Sequence, residues 1–346
     1  MIIRSISVRT PSLLITNEDI IAGIRDANRE VATSEIDRYC ALVERLLRRS
    51  GARTRFYRDR SKGETALSLI VEAAKCAMND AGVVTPEIDA VIFCGVGRGF
   101  LEPANAAFVG AALGLTCDAF DVSEACMSWV RSLQIAQSLL LTRTYATVLI
   151  VNGEFTVFEY GLPEVNVIRS RDQLRHMFAA FTIGEAASAT IVGASPERWR
   201  FRFRSDPTRA DLCTVPIRGY DQFAMPSARL GLGGLYQLVA FSEELFIAAV
   251  EEMVRFVRDT YESPEVFDLW FPHAANSEIC RVVARRLGLG NRVYGKTFES
   301  CGNLISASIP AAMAQAADDG RLKRGDHIVL CPASAGMSLA LVDGRY

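Results

Sequence analysis

Short apolar runs that alternate with longer amphipathic segments constrain the fold of this chain more than any other feature. Ala90–Cys94 and residues 147–151 are rich in β-branched and apolar side chains, which is typical of buried strands. Residues 65–81 and 127–141 carry apolar side chains at helical spacing instead. Strands that alternate with helices of this length predict an α/β protein in which helices cover the strands.

The second half of the chain repeats this order of elements. Its pattern predicts helix 242–259, strand 268–271, helix 277–287, helix 307–317 and strand His327–Cys331. We therefore expect two related halves, residues 1–195 and residues 196–346, that join between residues 194 and 207.

Composition excludes several classes of protein. The chain has 346 residues, of which 50% are hydrophobic, and a formal net charge of -2. A near-neutral balance provides no field that would attract nucleic acid or an anionic membrane. No apolar run approaches the roughly 20 residues that span a bilayer. We expect a cytoplasmic protein with an ample core, no nucleic-acid partner and no membrane span.

Sequence motifs for metals and nucleotide cofactors are missing. The nine cysteines are odd in number and follow neither a disulfide framework nor the spacing of a zinc site, so reduced thiols are expected. Residues 95–99 read Gly-Val-Gly-Arg-Gly, which lacks the full dinucleotide fingerprint, and there is no Walker loop. Metal and nucleotide-cofactor chemistry are therefore not expected.

Two stretches concentrate basic residues. Residues 198–204 alternate arginine with aromatic side chains, which favours a solvated edge strand whose charge blocks unwanted pairing. Residues 45–62 contain Asp59 as their only acid. This second cluster has two interpretations that stay open. It is either a solvated helix end and loop, or a patch for the phosphates of coenzyme A or of a phosphopantetheine carrier.

Cys126 is the first candidate for chemistry. It follows a short strand at residues 120–122 and precedes a helix that begins near Met127. The free amides and dipole at a helix N-terminus favour the thiolate, so we expect a nucleophilic cysteine. Inert packing is the alternative, because cysteine is among the most buried residue types.

Two further polar residues occupy similar junctions. His273 follows the apolar run Leu269-Trp270-Phe271, at the strand end where active sites of α/β sheets collect. Asn303 lies in a small-residue turn before the next helix. Each alone would be read as a satisfied structural group, but Cys126, His273 and Asn303 together form a constellation.

At these positions the sequence resembles the ketoacyl synthase III family of the thiolase superfamily. The matching segments are Phe120-Asp121-Val122 with Ala125-Cys126, Gly184-Glu185-Ala186-Ala187, His273-Ala274-Ala275-Asn276, and Gly302-Asn303 with residues 306–310. The resemblance implies a duplicated five-layer αβαβα fold and a homodimer. It also implies that Cys126, His273 and Asn303 are the catalytic residues.

The resemblance further implies acyl transfer from thioesters. Cys126 would accept the acyl group, with an oxyanion hole formed by backbone amides of Cys126 and of the turn at Ser334. His273 and Asn303 would stabilise the enolate of a second thioester, malonyl or β-ketoacyl. Coenzyme A or phosphopantetheine thioesters, free or on acyl carrier protein, would be substrates, and no cofactor would be bound permanently.

Departures from the family pattern refine these expectations. Glu102 stands before Pro103 in the loop that reaches the partner's acyl pocket, where malonyl-using members often have an aromatic residue. This glutamate is similar to that of the head-to-head condensing members, which use it as a base, whereas a solvent-facing glutamate is the alternative. Arg49 matches an arginine at the coenzyme A site, and Arg53 is expected to contribute there. Glu278 replaces the arginine that docks carrier protein.

Three functions are compatible with these residues. The first is Claisen condensation in fatty-acid-derived or polyketide synthesis. The second is acyl transfer to an alcohol or amine, against which Asn303 argues, because ester formation favours a base oriented by a carboxylate. The third is an inactive supporting subunit of a ketosynthase heterodimer.

Overall fold

The computed structural model describes residues 1–157 and 165–346. Within these ranges the helices are α1 (Asn17–Ala27), α2 (Thr33–Ser50), α3 (Ala66–Ala81), α4 (Asn105–Leu113), α5 (Ser128–Leu141), α6 (Leu174–Met177), α7 (Tyr220–Phe223), α8 (Ser242–Thr260), α9 (Ser277–Arg286), α10 (Thr297–Cys301) and α11 (Ser308–Asp318). Short 3-10 helices cover Arg60–Lys62, Thr85–Glu87, Phe178–Thr182, Pro207–Leu212, Pro264–Val266, Gly290–Arg292 and Ile305–Ala307. No helix in the described ranges is long and apolar enough to cross a membrane.

The strands lie in two large sheets and two short pairs. They are β1 (Ile2–Arg9), β2 (Leu13–Thr16), β3 (Thr54–Tyr57), β4 (Ala90–Cys94), β5 (Asp118–Val122), β6 (Thr147–Glu154), β7 (Ala186–Gly193), β8 (Arg200–Ser205), β9 (Cys213–Thr214), β10 (Val239–Ala240), β11 (Leu269–Pro272), β12 (His327–Cys331), β13 (Ala333–Ser334) and β14 (Ser338–Arg345). The small pairs are β2 with β3 and β9 with β10.

The first sheet has the strand order β1-β7-β6-β4-β5. Strands β6, β4 and β5 run parallel, whereas β7 is antiparallel to both β1 and β6. Cys94, Val122 and Asn152 are aligned in register, so the carboxyl ends of three parallel strands meet at one edge. The turn that contains Cys126 leaves the sheet at this edge.

The second sheet has the order β11-β12-β14-β13, with β8 paired to β14. Strands β11 and β12 are parallel, and the pairs formed by β14 are antiparallel. Pro272 is aligned with Cys331, so His273 and the turn at residues 332–335 follow neighbouring strand ends. This edge corresponds to the one that bears Cys126 in the first sheet.

Helices and sheets stack in five layers. Helices α3 and α4 pack on the outer face of the first sheet. Helices α5 and α11 lie between the two sheets and share one hydrophobic core with strands of both. Helix α8 covers the outer face of the second sheet. The predicted five-layer αβαβα fold is therefore confirmed, while the division at residue 195 stays a prediction.

The basic strand is more than a solvated edge. Within the described ranges β8 pairs only with β14, as expected for an edge strand. However, Arg200 and Arg202 form ion pairs with Asp343, whose side chain is 1% exposed, and Tyr261 donates a hydrogen bond to the same carboxylate at 2.8 Å. A buried carboxylate needs such partners, so these arginines stabilise the second sheet.

Two glycines allow the chain segments around Asn303 to approach closely. A Cβ on Gly184 would lie 2.0 Å from the carbonyl oxygen of Cys301, and one on Gly302 would lie 2.4 Å from that of Thr182. Gly302 also has φ +71°, which favours glycine. The segments around residues 184 and 302 are therefore in direct contact, and backbone atoms of each segment occupy the space that a side chain on the other segment's glycine would need.

We expect Gly184→Ala to lower the free energy of unfolding by about 3 kcal/mol, because the new methyl group collides with backbone that cannot move aside. Gly110→Ala in α4 is the matched control, since a Cβ there meets no atom within 4 Å. It should gain about 0.5–1 kcal/mol from helix propensity. Urea denaturation measures both values. Equal effects of the two substitutions would contradict the close approach.

Candidate active site

One apolar cavity joins the three residues singled out from the sequence. Its volume is about 460 Å³, and Cys126, His273 and Asn303 all line it. Cys126 comes from the first sheet's edge, and the other two come from the second half of the chain. Concave apolar cavities with a few convergent polar groups are the usual form of small-molecule sites.

The turn that bears Cys126, at residues 123–127, is held tightly by its neighbours. Ala125 has φ +45°, an unfavourable backbone conformation for a residue other than glycine. The hydroxyl of Ser128 accepts a hydrogen bond from the amide of Glu124 at 2.8 Å and donates one to the carbonyl of Ala125 at 2.7 Å. Glu124 also pairs with Arg131 at 2.7 Å. These contacts over-determine the turn and direct Cys126 into the cavity.

The expectation that the helix N-terminus favours the thiolate of Cys126 is wrong. Burial raises the pKa of the Cys126 thiol, and the nearby Cys213 and Glu154 raise it further. A hydrogen bond from Ser334 acts in the opposite direction but is smaller. Removal of water therefore raises the pKa of this thiol above its ordinary value, and Cys126 is a neutral thiol at neutral pH.

His273 is also neutral at rest. It is 6% exposed, and burial lowers the pKa of its imidazole to about 4. Its Nδ1 atom is buried and has no hydrogen-bond partner within the described residues. A neutral imidazole can donate from one ring nitrogen, which is the property that an enolate site requires.

Asn303 is oriented by the backbone around it. Its Oδ1 accepts a hydrogen bond from the amide of Ile305 at 2.9 Å, which leaves Nδ2 as the end that can donate. The Asn303 amide donates to the carbonyl of Thr182 at 2.8 Å, and the Asn303 carbonyl accepts from Gly184 at 3.0 Å. The carboxamide is thus fixed before any substrate enters.

Ser334 lies beside the turn that bears Cys126. It is 6% exposed, lines the cavity and donates a hydrogen bond from Oγ to the carbonyl of Glu124 at 3.3 Å. This contact joins the turn after β12 to the turn that bears Cys126. Its role in an oxyanion hole with the Cys126 amide stays a prediction.

Glu102 is not brought to the cavity of its own chain. It lies in an exposed loop next to Leu101, which is 87% exposed, and it is absent from the cavity wall. The base of this loop is firm, because Asn105 Oδ1 accepts hydrogen bonds from Gly99 at 2.9 Å and Phe100 at 3.2 Å. The loop is therefore exposed and forms no part of the wall of its own chain's cavity.

The two arginines expected to bind coenzyme A are both exposed. Arg49 lies in the last turn of α2, next to Ser50, which lines the cavity. Arg53 is 79% exposed and lies 3.5 Å from Glu299. Arg49 is thus the sequence neighbour of a residue of the cavity wall, whereas Arg53 already faces a carboxylate.

Sequence reasoning missed other groups at the site. Glu154 ends β6 with 0% exposure, and burial raises the pKa of its carboxyl to about 7. Its signal was a lone acid after an apolar strand. Cys213 lines the cavity and had no sequence signal. An apolar lobe of the cavity is formed by α8 and α9, through Leu245, Phe246, Ala249, Val250, Met253, Ile279 and Val283.

We expect the imidazole of His273 to titrate near pH 4 in an NMR titration, with the signal lost in His273→Asn. An unfolded histidine titrates near 6.5, so the unfolded chain takes up a proton first as the pH falls. Wild-type stability should therefore decrease between about pH 6.5 and pH 4 more steeply than that of the variant, at up to about 1.4 kcal/mol per pH unit. Parallel stability curves would contradict the buried neutral imidazole.

Comparison with known proteins gives consistent matches along the whole chain. Residues 259–342 match the family model described as 3-oxoacyl-[acyl-carrier-protein (ACP)] synthase III C terminal. The β-ketoacyl-[acyl-carrier-protein] synthase III of Campylobacter fetus is 30% identical over 343 residues, covering 96% of this chain and 94% of that protein. A synthase of the same name from Vibrio parahaemolyticus is 27% identical over 329 residues, covering 92% of this chain and 91% of that protein.

Solved structures share the fold. Cerulenin-bound OleA of Xanthomonas campestris has a TM-score of 0.83 and 23% identity, covering 99% of this chain and 96% of that one. A cysteine-to-serine variant of OleA with bound lauric acid and lauroyl-CoA has a TM-score of 0.81 and 22% identity, covering 99% and 98%. The 3-oxoacyl-[acyl-carrier-protein] synthase III of Aquifex aeolicus has a TM-score of 0.78 and 24% identity, covering 99% of each chain.

Proposed function

Because the chain belongs to the β-ketoacyl-[acyl-carrier-protein] synthase III family of condensing enzymes, we propose that Cys126, His273 and Asn303 catalyse its Claisen condensation of acyl thioesters. In this proposal Cys126 carries the first acyl group, and His273 with Asn303 stabilises the enolate of the second thioester. The observation that carries the proposal is the convergence of these three side chains on one apolar cavity.

Acyl loading is a thioester exchange. The sulfur of Cys126 attacks the carbonyl carbon of an acyl thioester, and the bond from that carbon to the carrier sulfur breaks. The leaving thiolate gains one proton as Cys126 loses one, so no proton is gained or lost in the step as a whole. Amides of Cys126 and of the turn at Ser334 would hold the oxyanion between these events.

Condensation forms the carbon–carbon bond. The α-carbon of the second thioester loses a proton to a base, or carbon dioxide if the substrate is malonyl, and the charge moves to the thioester oxygen. His273 and the Nδ2 group of Asn303 donate hydrogen bonds to that oxygen. The enolate carbon then attacks the acyl carbonyl, the bond to Cys126 breaks, and the thiol regains its proton.

The cavity supports a substrate with a long apolar acyl group. The lobe between α8 and α9 is lined by aliphatic and aromatic side chains, which favour an alkyl chain. The OleA variant with bound lauroyl-CoA has the same fold. In our proposal the exposed Arg49 contacts the phosphates of coenzyme A or phosphopantetheine, and Arg53 adds to this positive region.

The exposed loop at residues 100–103 supports a homodimer. Leu101 and Phe100 are 87% and 49% exposed, and apolar side chains at the tip of a firm loop are expected to be covered by a partner. In our proposal Glu102 enters the partner's cavity and removes the α-proton of the second acyl chain. A cytoplasmic location is part of the same proposal.

Incubation with lauroyl-CoA should add one acyl group per chain in wild type and none in Cys126→Ala, because Cys126 is the proposed acyl carrier. Intact-mass measurement gives the stoichiometry. Cys213→Ala is the matched control, since it removes another thiol of the same cavity and should keep the adduct. Acylation of Cys126→Ala, or no acylation of wild type with any chain length, would contradict the proposal.

Glu102→Gln should keep full acyl loading. Its rate of condensation with a second acyl-CoA should be at least about tenfold lower than that of wild type, because an amide cannot accept the α-proton. Condensation is followed by product quantification from preloaded enzyme. Glu64→Gln, a carboxylate of another loop, serves as a control and should leave the rate unchanged. An unchanged rate in Glu102→Gln would show that this carboxylate is not the base.

A further inference from the structure

A buried carboxylate that the mechanism does not use lies directly beside the site. Glu154 ends β6, and its side chain has 0% exposure. No lysine or arginine pairs with it among the described residues. A carboxylate is expensive to bury without a cationic partner, so the structure around it must supply hydrogen bonds instead.

Glu154 receives those hydrogen bonds from two separate loops. Val96 and Gly97, which follow β4, donate their amides to Oε2 at 3.1 and 3.4 Å. Ser306, three residues after Asn303, donates its amide to Oε1 at 3.2 Å and its hydroxyl to the same oxygen. One side chain therefore joins a wall of the cavity to the turn that bears Asn303.

The glycine-rich run after β4 is shaped for this carboxylate. Gly95 has φ +138°, and a Cβ there would lie 3.0 Å from Oε1 of Glu154. A Cβ on Gly97 would lie 2.5 Å from the carbonyl of Gly153. The glycines of this run, which resembled part of a dinucleotide fingerprint, thus allow the loop after β4 to lie close to the end of β6.

The link from Glu154 to Asn303 is short and rigid. Ser306 also accepts a hydrogen bond from Nδ2 of Asn152 at 2.7 Å, so its hydroxyl is held on both sides. The residue before it, Ile305, has φ +51° and holds Oδ1 of Asn303 through its amide. Fixing Ser306 therefore fixes the amide that orients the Asn303 carboxamide.

A carboxylate suits this position better than an amide would. All the groups that approach Glu154 are donors, and a carboxylate accepts on both oxygens. A glutamine would direct its own N–H groups at one of the two loops and repel it. That loop would move, and the donor geometry at Asn303 would loosen.

We propose that Glu154 is a positioning residue that sets the Asn303 carboxamide for the condensation step. The inference rests on the proposed function, in which Asn303 stabilises the enolate. Glu154 touches no substrate in this arrangement and acts on Asn303 through the Ser306 turn. Acyl loading, which uses Cys126 and the oxyanion hole, does not depend on that turn.

The test separates the two half-reactions in Glu154→Gln. Lauroyl-CoA should load Cys126 to one group per chain at a rate within about threefold of wild type. Condensation of the loaded enzyme with malonyl-CoA or a second lauroyl-CoA should fall at least tenfold in kcat, with a KM change of less than threefold. A merely structural defect would lower both half-reactions together.

Two further variants keep the test decisive. Ser306→Ala removes the hydroxyl but keeps the backbone contact, so it should show the same selective defect at smaller size, even if Glu154→Gln fails to fold. Ser5→Ala is the matched control, because it also removes a buried serine hydroxyl with a hydrogen bond, to the carbonyl of Ala77 at 2.6 Å, and lies outside the contacts that hold Ser306. Both half-reactions should stay unchanged in it.

The outcomes are distinguishable. Normal condensation in Glu154→Gln and Ser306→Ala, or an equal loss of loading and condensation, overturns the positioning role while the proposed function stands. Wild-type enzyme that neither loads nor condenses with any acyl-CoA overturns the proposed function itself, and the inference with it.

Discussion

Removal of water sets the protonation state of the buried titratable groups at the candidate site. Burial raises the pKa of Cys126 and of Glu154 and lowers that of His273. The resting site therefore holds a neutral thiol and a neutral imidazole rather than an ion pair. Neutral groups carry no charge that solvent would screen. Hydrogen bonds that form in such a cavity are stronger than in water. Charge develops only when a thioester occupies the space.

Much of the fold and of the site could be predicted from the sequence, because both depend on local patterns. The strands Ala90–Cys94 and His327–Cys331 have the bounds that their apolar runs predicted, and helix 242–259 differs from α8 by one residue. Cys126 and His273 each follow a strand, and the common edge of α/β sheets brings such residues together. Asn303 follows the helix α10 instead of a strand.

Other features depend on distant neighbours, so the sequence could not reveal them. The pKa of Cys126 is set by enclosure from parts of the chain far from residue 126, which a local helix N-terminus does not predict. Glu154 looked like an ordinary end of a strand, since its partners Val96 and Ser306 are 58 and 152 residues away. The arginines of β8 appeared solvated because Asp343, which they contact, lies in the last strand.

The proposed role of Glu102 has a consequence for the genetics of the proposed homodimer. If Glu102 serves the neighbouring subunit as proposed, each reaction centre is a shared property of two polypeptides. Two defective alleles, one without the thiol and the other without the loop acid, would then complement each other. Half of the centres in a mixed dimer would unite both lesions, and the other half would be built entirely from intact parts.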